Sequence, residues 1–199
     1  MKQRQVNKGI LIGIFAYIIW GLLPIYWKAL DGVRADVVFA HRIVWSFLFI
    51  LLYIIVTNRL TLFYIELKRI LRHKKIFLAI VAASLVIGTN WLVFIWAVQS
   101  NYVIQASLGY YINPLMSVLF GVIILKERLS RAQQLSVILA VIGVLYLTIS
   151  YHVFPWVSII LATSFAIYGL LKKMVHLNST YSLMIETAVL LPVAIIYLF

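Results

Sequence analysis

Two ionisable side chains lie inside otherwise apolar stretches, Arg42 in AHRIVWSF and Glu186 in LMIETAVLL. A charge in such surroundings is costly, so each must find a partner or serve a ligand. Arg42, if held inside a helix bundle, would be a cationic contact for an anionic group. It stands about 8 Å deep at 1.5 Å per residue, which also lets its head snorkel to the surface. His41 beside it would titrate next to such an anion, or pack as a hydrogen-bonded histidine. Glu186 is the only carboxylate within an apolar span. It suits proton coupling or a cationic ligand group, and equally an ion pair with Lys172 or Lys173. Depths of about 8 Å from opposite faces of a core about 30 Å thick keep Arg42 and Glu186 roughly 14 Å apart. They then sit near opposite mouths of one pathway and do not pair directly.

Uncharged groups extend the pattern. In ASLGYYINPLMSVLFGVIILKERLSR, from Ala106 to Arg131, Pro114 sits mid-span and leaves the Tyr110 carbonyl without its helical partner. At 100° per residue, Ser107, Tyr110, Asn113, Pro114, Ser117 and Gly121 share one third of the helix surface, and Ile112, Leu115, Leu119 and Val122 fall opposite. One face suits a polar interior and the other suits lipid. The alternative is tight packing through small residues, with Asn113 as interhelical glue. The same arithmetic gathers Gly13, Tyr17, Trp20, Gly21, Pro24 and Trp27 on a second face. There Tyr17, Trp20 and Pro24 are the deeper binding candidates, while Trp27 and Lys28 also fit an interfacial anchor. A third stripe carries Asn90, Phe94 and Asn101, with Trp91 adjacent. A buried Asn needs partners, from a ligand or from a neighbouring helix. Ser136, Ala140 and Gly143 have the spacing of small-residue helix packing. No metal-ligand spacing, Gly-rich phosphate loop or nucleophile and base pair is present, so neither a cofactor nor an enzyme is expected.

These residues need a bilayer around them. The chain is 65% apolar and 11% charged, and its mean hydropathy is +1.07, which belongs to an all-α, polytopic membrane protein. Apolar runs predict seven spans, at Gly9 to Trp27, Val37 to Thr57, Ile76 to Val98, Val103 to Leu125, Leu135 to Tyr151, Val153 to Leu171 and Tyr181 to Phe199. The net charge of +12 comes from basic residues at the ends of these runs, a signature of topology and not of nucleic-acid binding. Lys2, Arg4 and Lys8, the Arg59 to Lys75 connection, Lys126, Arg128, Arg131, Lys172 and Lys173 fall on one side, against Lys28 and Arg34 on the other. The N-terminus is therefore expected in the cytoplasm. Between Asn58 and Lys75, Leu60, Tyr64, Leu67 and Leu71 recur opposite Lys68, Arg72 and Lys75, as in an amphipathic helix lying on anionic lipid.

An internal echo sets the organisation. Trp20-Gly21-Leu22-Leu23 and Tyr168-Gly169-Leu170-Leu171 coincide at an offset of 148 residues, which spans five helices. An odd number of crossings inverts the second copy, as in the inverted repeats of secondary transporters. Residues 1–151 would form the first five-helix repeat and 152–199 the start of the second, so about seven of an expected ten helices would be present. The runs AHRIVWSF, GTNWLVFIWAV, QASLGYYINPLMSVLFGVIILKERLS and LMIETAVLLPVAIIYL closely resemble the EamA family of the drug/metabolite transporter superfamily, in its RarD branch. The resemblance implies a ten-helix carrier of the bacterial inner membrane, truncated here, and an acidic residue after the fourth span, at Glu127, with an interfacial role. It does not imply a substrate; members are named for an effect on chloramphenicol sensitivity.

The expected activity is alternating-access transport of a small amphiphilic metabolite or drug, with a seven-helix sensor or assembly partner as the alternative. The expected partners are the lipid bilayer and the small-molecule substrate, with proton coupling and a homodimer as further expectations.

Overall fold

The computed structural model describes residues 2–30, 32–150, 154–175 and 177–199, which form eight α-helices and, among these residues, no strand. In chain order they are α1 (Lys2–Ala29), α2 (Ala35–Val56), α3 (Leu60–Arg72), α4 (Lys74–Gln99), α5 (Val103–Ile123), α6 (Arg131–Ser150), α7 (Trp156–Val175) and α8 (Ser179–Leu198). All but α3 are long and apolar enough to cross a membrane. The predicted start of the sixth span, Val153, lies outside the described residues; α7 is described from Trp156.

The helix ends have local causes. Asn58 (φ 52°) and Asn101 (φ 64°) take the left-handed conformation just past α2 and α4, which Asn tolerates better than most residues. This lets the Arg59 N–H donate to the Ile54 carbonyl (3.0 Å) and the Tyr102 N–H to the Ala97 carbonyl (2.7 Å), satisfying last-turn acceptors that would otherwise be orphaned. At α8 the Asn178 side chain accepts from the Thr180 N–H (3.0 Å), a side-chain N-cap.

Helix α4 is the hub, packing against α1, α2, α3, α5, α7 and α8. Small and β-branched residues make this affordable: Ala79, Ala83, Gly88 and Ala97 are buried in it, and without long side chains neighbouring backbones come close. Helices α2 and α8 run antiparallel, with Ala40 and Ile43 against Ala194 and Leu190 and Ile54 against Tyr181 and Met184. Helix α5 lies parallel to α7. Gly109 sets their spacing, since a Cβ there would stand 3.3 Å from the Ser158 carbonyl oxygen and 3.3 Å from Leu161 Cβ. Ser158 Oγ donates to the Gln105 carbonyl (2.6 Å) and Gln105 Oε1 accepts the Val157 N–H (3.2 Å), so α5 also caps the start of α7.

Three expectations change here. Ile112, assigned to lipid, is buried with Leu108 against Ala162, with Val144 and Leu147 of α6 packed alongside, while Leu119 and Val122 of the same face are exposed. In α6, Ser136, Ala140 and Gly143 are exposed, and Val144 and Leu147 make the contact instead. Helix α3 is amphipathic as expected, but Phe63, Leu67 and Ile70 seat it on Ile80, Val175 and Ile185, while Leu60, Tyr64 and Leu71 face outwards.

Candidate functional site

Between α1, α2, α4, α5, α7 and α8 lies a cavity of about 310 Å³. Seven of the eleven candidate residues line it: Trp20, Arg42, Asn90, Trp91, Phe94, Tyr110 and Asn113. The walls are aromatic, with Phe94 and Tyr110 edge to face at 5.9 Å. A larger depression of about 700 Å³ at the start of α2 holds Arg34 and Asp36, which are already paired at 2.6 Å; it offers a ligand no uncommitted charge. The Arg34 guanidinium is held above its usual pKa by the Asp36 carboxylate.

Arg42 is the cavity's charge. Its Cζ lies 4.2 Å from the centre of the Trp91 ring and 5.6 Å from that of Trp27, so two indole faces hold the guanidinium by cation–π attraction. Trp27, buried at 6% exposure against Val38, Ile95 and Val98, closes one side of the cavity beside it. Trp27 is thus part of the cavity wall and not a surface anchor. Its Nε1 is buried and, among the described residues, has no hydrogen-bond partner. His41, one position before Arg42, is exposed and outside the cavity.

The two asparagines differ in what they do. Asn90 Nδ2 donates to the Leu161 carbonyl (2.9 Å) and to Ser164 Oγ (2.8 Å), which ties α4 to α7. Asn113 accepts from Ser117 Oγ one turn along its own helix (3.3 Å). Asn90, not Asn113, is therefore the interhelical link, and Asn113 presents its amide to the cavity.

Four candidates stand elsewhere. Tyr17 is 75% exposed because α1 rests on α4 only through its C-terminal part, around Leu23 and Trp27; Pro24 is half-buried and outside the cavity, and Pro114 is exposed. Glu186 is buried at 1% exposure in a cluster of its own. Lys172 Nζ pairs with it at 2.9 Å, Tyr168 OH donates to it (3.1 Å) and Ser182 Oγ donates at 2.7 Å; Lys172 also bonds to Ser182. Every polar neighbour is a donor aimed at one carboxylate, so Glu186 ties α7 to α8. Of the basic residues the sequence offered, Lys173 pairs instead with Glu127 at 3.1 Å.

Several lining residues carried no sequence signal. Ala106, Gly109, Leu161, Phe165 and Leu183 are ordinary apolar positions until three helices bring them together. Trp27 carried one, since it shares the Trp20 face.

The EamA-like transporter family model matches residues 7–149. Protein RarD of Salmonella typhi is 44% identical over 200 residues, covering 100% of this chain and 66% of that protein. The uncharacterized transporter YojE of Bacillus subtilis is 40% identical over 198 residues, with the same coverage of both chains. The chloramphenicol-sensitive protein RarD of Pseudomonas aeruginosa is 28% identical over 197 residues, 99% of this chain and 66% of that one. The chain thus spans about two thirds of the length of these relatives. No solved structure matches it. Seven membrane-crossing helices, a cavity among them and a family match over most of the chain agree: this is an integral membrane protein that belongs to the EamA-like transporter family.

Proposed function

We propose that the protein is a secondary carrier of the bacterial cytoplasmic membrane that moves a small amphiphilic metabolite or drug by alternating access. The observation that carries this is the aromatic-walled cavity within the spans, where Arg42, Asn90, Tyr110 and Asn113 supply a few polar contacts. Broad apolar area with sparse polar groups is how binding sites hold amphiphiles of modest size. The name of the Pseudomonas relative ties that protein to chloramphenicol, an amphiphile of this kind. In the same reading, α1 to α6 form the first of two inverted repeats and α7 begins the second. The family match over 7–149 supports that division, since it takes in α1 to α5 and nearly all of α6. The basic side of the loops supports a cytoplasmic N-terminus. Glu186, engaged by Lys172, Tyr168 and Ser182, takes a structural role in this scheme, and proton coupling is not assigned to it.

The test compares metabolites in cells lacking and overexpressing the protein, followed by flux of the changed compounds in proteoliposomes. Accumulation or loss of one compound, reproduced as flux, is the expected result. Folded protein that moves none of them would leave the sensor or assembly role standing.

A further inference from the structure

Each of the four described side-chain carboxylates is committed to a cation other than Arg42: Asp36 to Arg34, Glu66 to Arg69, Glu127 to Lys173 and Glu186 to Lys172. Among the described residues none accepts a hydrogen bond from the Arg42 guanidinium, which lies over the faces of Trp27 and Trp91 and near Tyr110. Stacking holds a guanidinium by its plane and leaves its N–H edge free. The Trp27 ring forms part of the wall of the same cavity, while its indole N–H is buried away from that space and, among the described residues, has no partner. A charged donor left unsatisfied in a protein interior costs about 1 to 3 kcal/mol or more, so the retention of Arg42 here is best explained by an acceptor that arrives with the ligand.

From this geometry we infer that the cavity selects organic anions: molecules with a carboxylate or similar oxyanion on a flat apolar body. The anion meets the guanidinium edge of Arg42, while the body lies among Trp20, Phe94 and Phe165. The amide groups of Asn90 and Asn113 then face the far end of the ligand. This rests on the proposal that the cavity is the carrier's binding site, and it narrows the substrate from amphiphiles in general to one charge class.

Isothermal titration of the purified protein in lipid nanodiscs tests it with three probes of one shape: phenylacetate, its neutral amide phenylacetamide and the cation phenethylamine. Phenylacetate should bind at least about tenfold more tightly than phenylacetamide, and phenethylamine should not bind. Arg42→Gln should weaken phenylacetate by about 30-fold or more and leave phenylacetamide nearly unchanged. Where Arg42→Gln fails to fold, Arg42→Lys takes its place and should keep the order of the probes at lower affinity. Equal or tighter binding of the amide or the amine, or no binding of phenylacetate, overturns the inference. The carrier proposal fails separately: anion-selective binding with no flux of any anion in proteoliposomes would sink transport and leave the anion site, whereas flux of neutral solutes alone would do the reverse.

Discussion

Arg42 and Glu186 are charges at similar depth, each about 10 Å from the start of its helix, yet their surroundings are opposite. Glu186 is met by an ammonium and two hydroxyls. Arg42 is met by aromatic faces and an empty volume. A charge with all its partners in the protein holds helices together, and one stacked but unpaired is ready for something from outside. The contrast recurs in the asparagines, with Asn90 bonded to α7 and Asn113 turned to the cavity.

The widest separation should appear in stability. Glu186→Ala strands Lys172 beside an apolar interior and should cost about 3 kcal/mol, read by equilibrium unfolding in mixed micelles. The double change Glu186→Leu with Lys172→Met should recover most of it; equal losses in single and double variants would break the claim that the pair acts as a unit. Arg42→Met removes only the attraction of two indole faces and should cost about 1 kcal/mol. A loss as large as that of Glu186→Ala would mean that Arg42 is structural after all. Asn90→Ala should cost about 0.6 to 1.7 kcal/mol for its links to α7. Asn113→Ala should leave the unfolding curve within a few tenths of a kcal/mol and depress flux. The smallest effect sharpens the geometry: in this cysteine-free chain, Asn113→Cys should react with a membrane-impermeant thiol reagent and Leu119→Cys, on the exposed apolar side, should not. Equal labelling at the two positions would remove α5 from the pathway.

How much of this was legible beforehand follows from what a single helix can know about itself. Hydropathy located all seven spans because a bilayer demands about 20 apolar residues of every one of them, whatever its neighbours. Helical periodicity found Trp20, Tyr110 and Asn113, since a cavity-lining face must share one side of its helix. The same wheel sent Ile112 to lipid, because lipid and the side of α7 look equally apolar to a leucine-rich surface. Glu186 was drawn toward the pathway for a related reason: an intramembrane carboxylate declares a cost, but whether a ligand or Lys172 meets that cost is decided by the neighbouring helix. Ser182 one turn before it was the available hint, as an i to i+4 hydroxyl within reach of the carboxylate.

The contact at Gly109 has a mechanical consequence. With no room for a Cβ at Gly109, and Gln105 bonded at both its carbonyl and its side chain to the first turn of α7, α5 and α7 cannot slide past each other at this end. The two helices form one stiff lever. A motion of α7 would therefore carry α5 with it at this end, and would also have to break the bonds of the Asn90 amide to the Leu161 carbonyl and Ser164 and the packing of Ala97 on Val157 and Leu161.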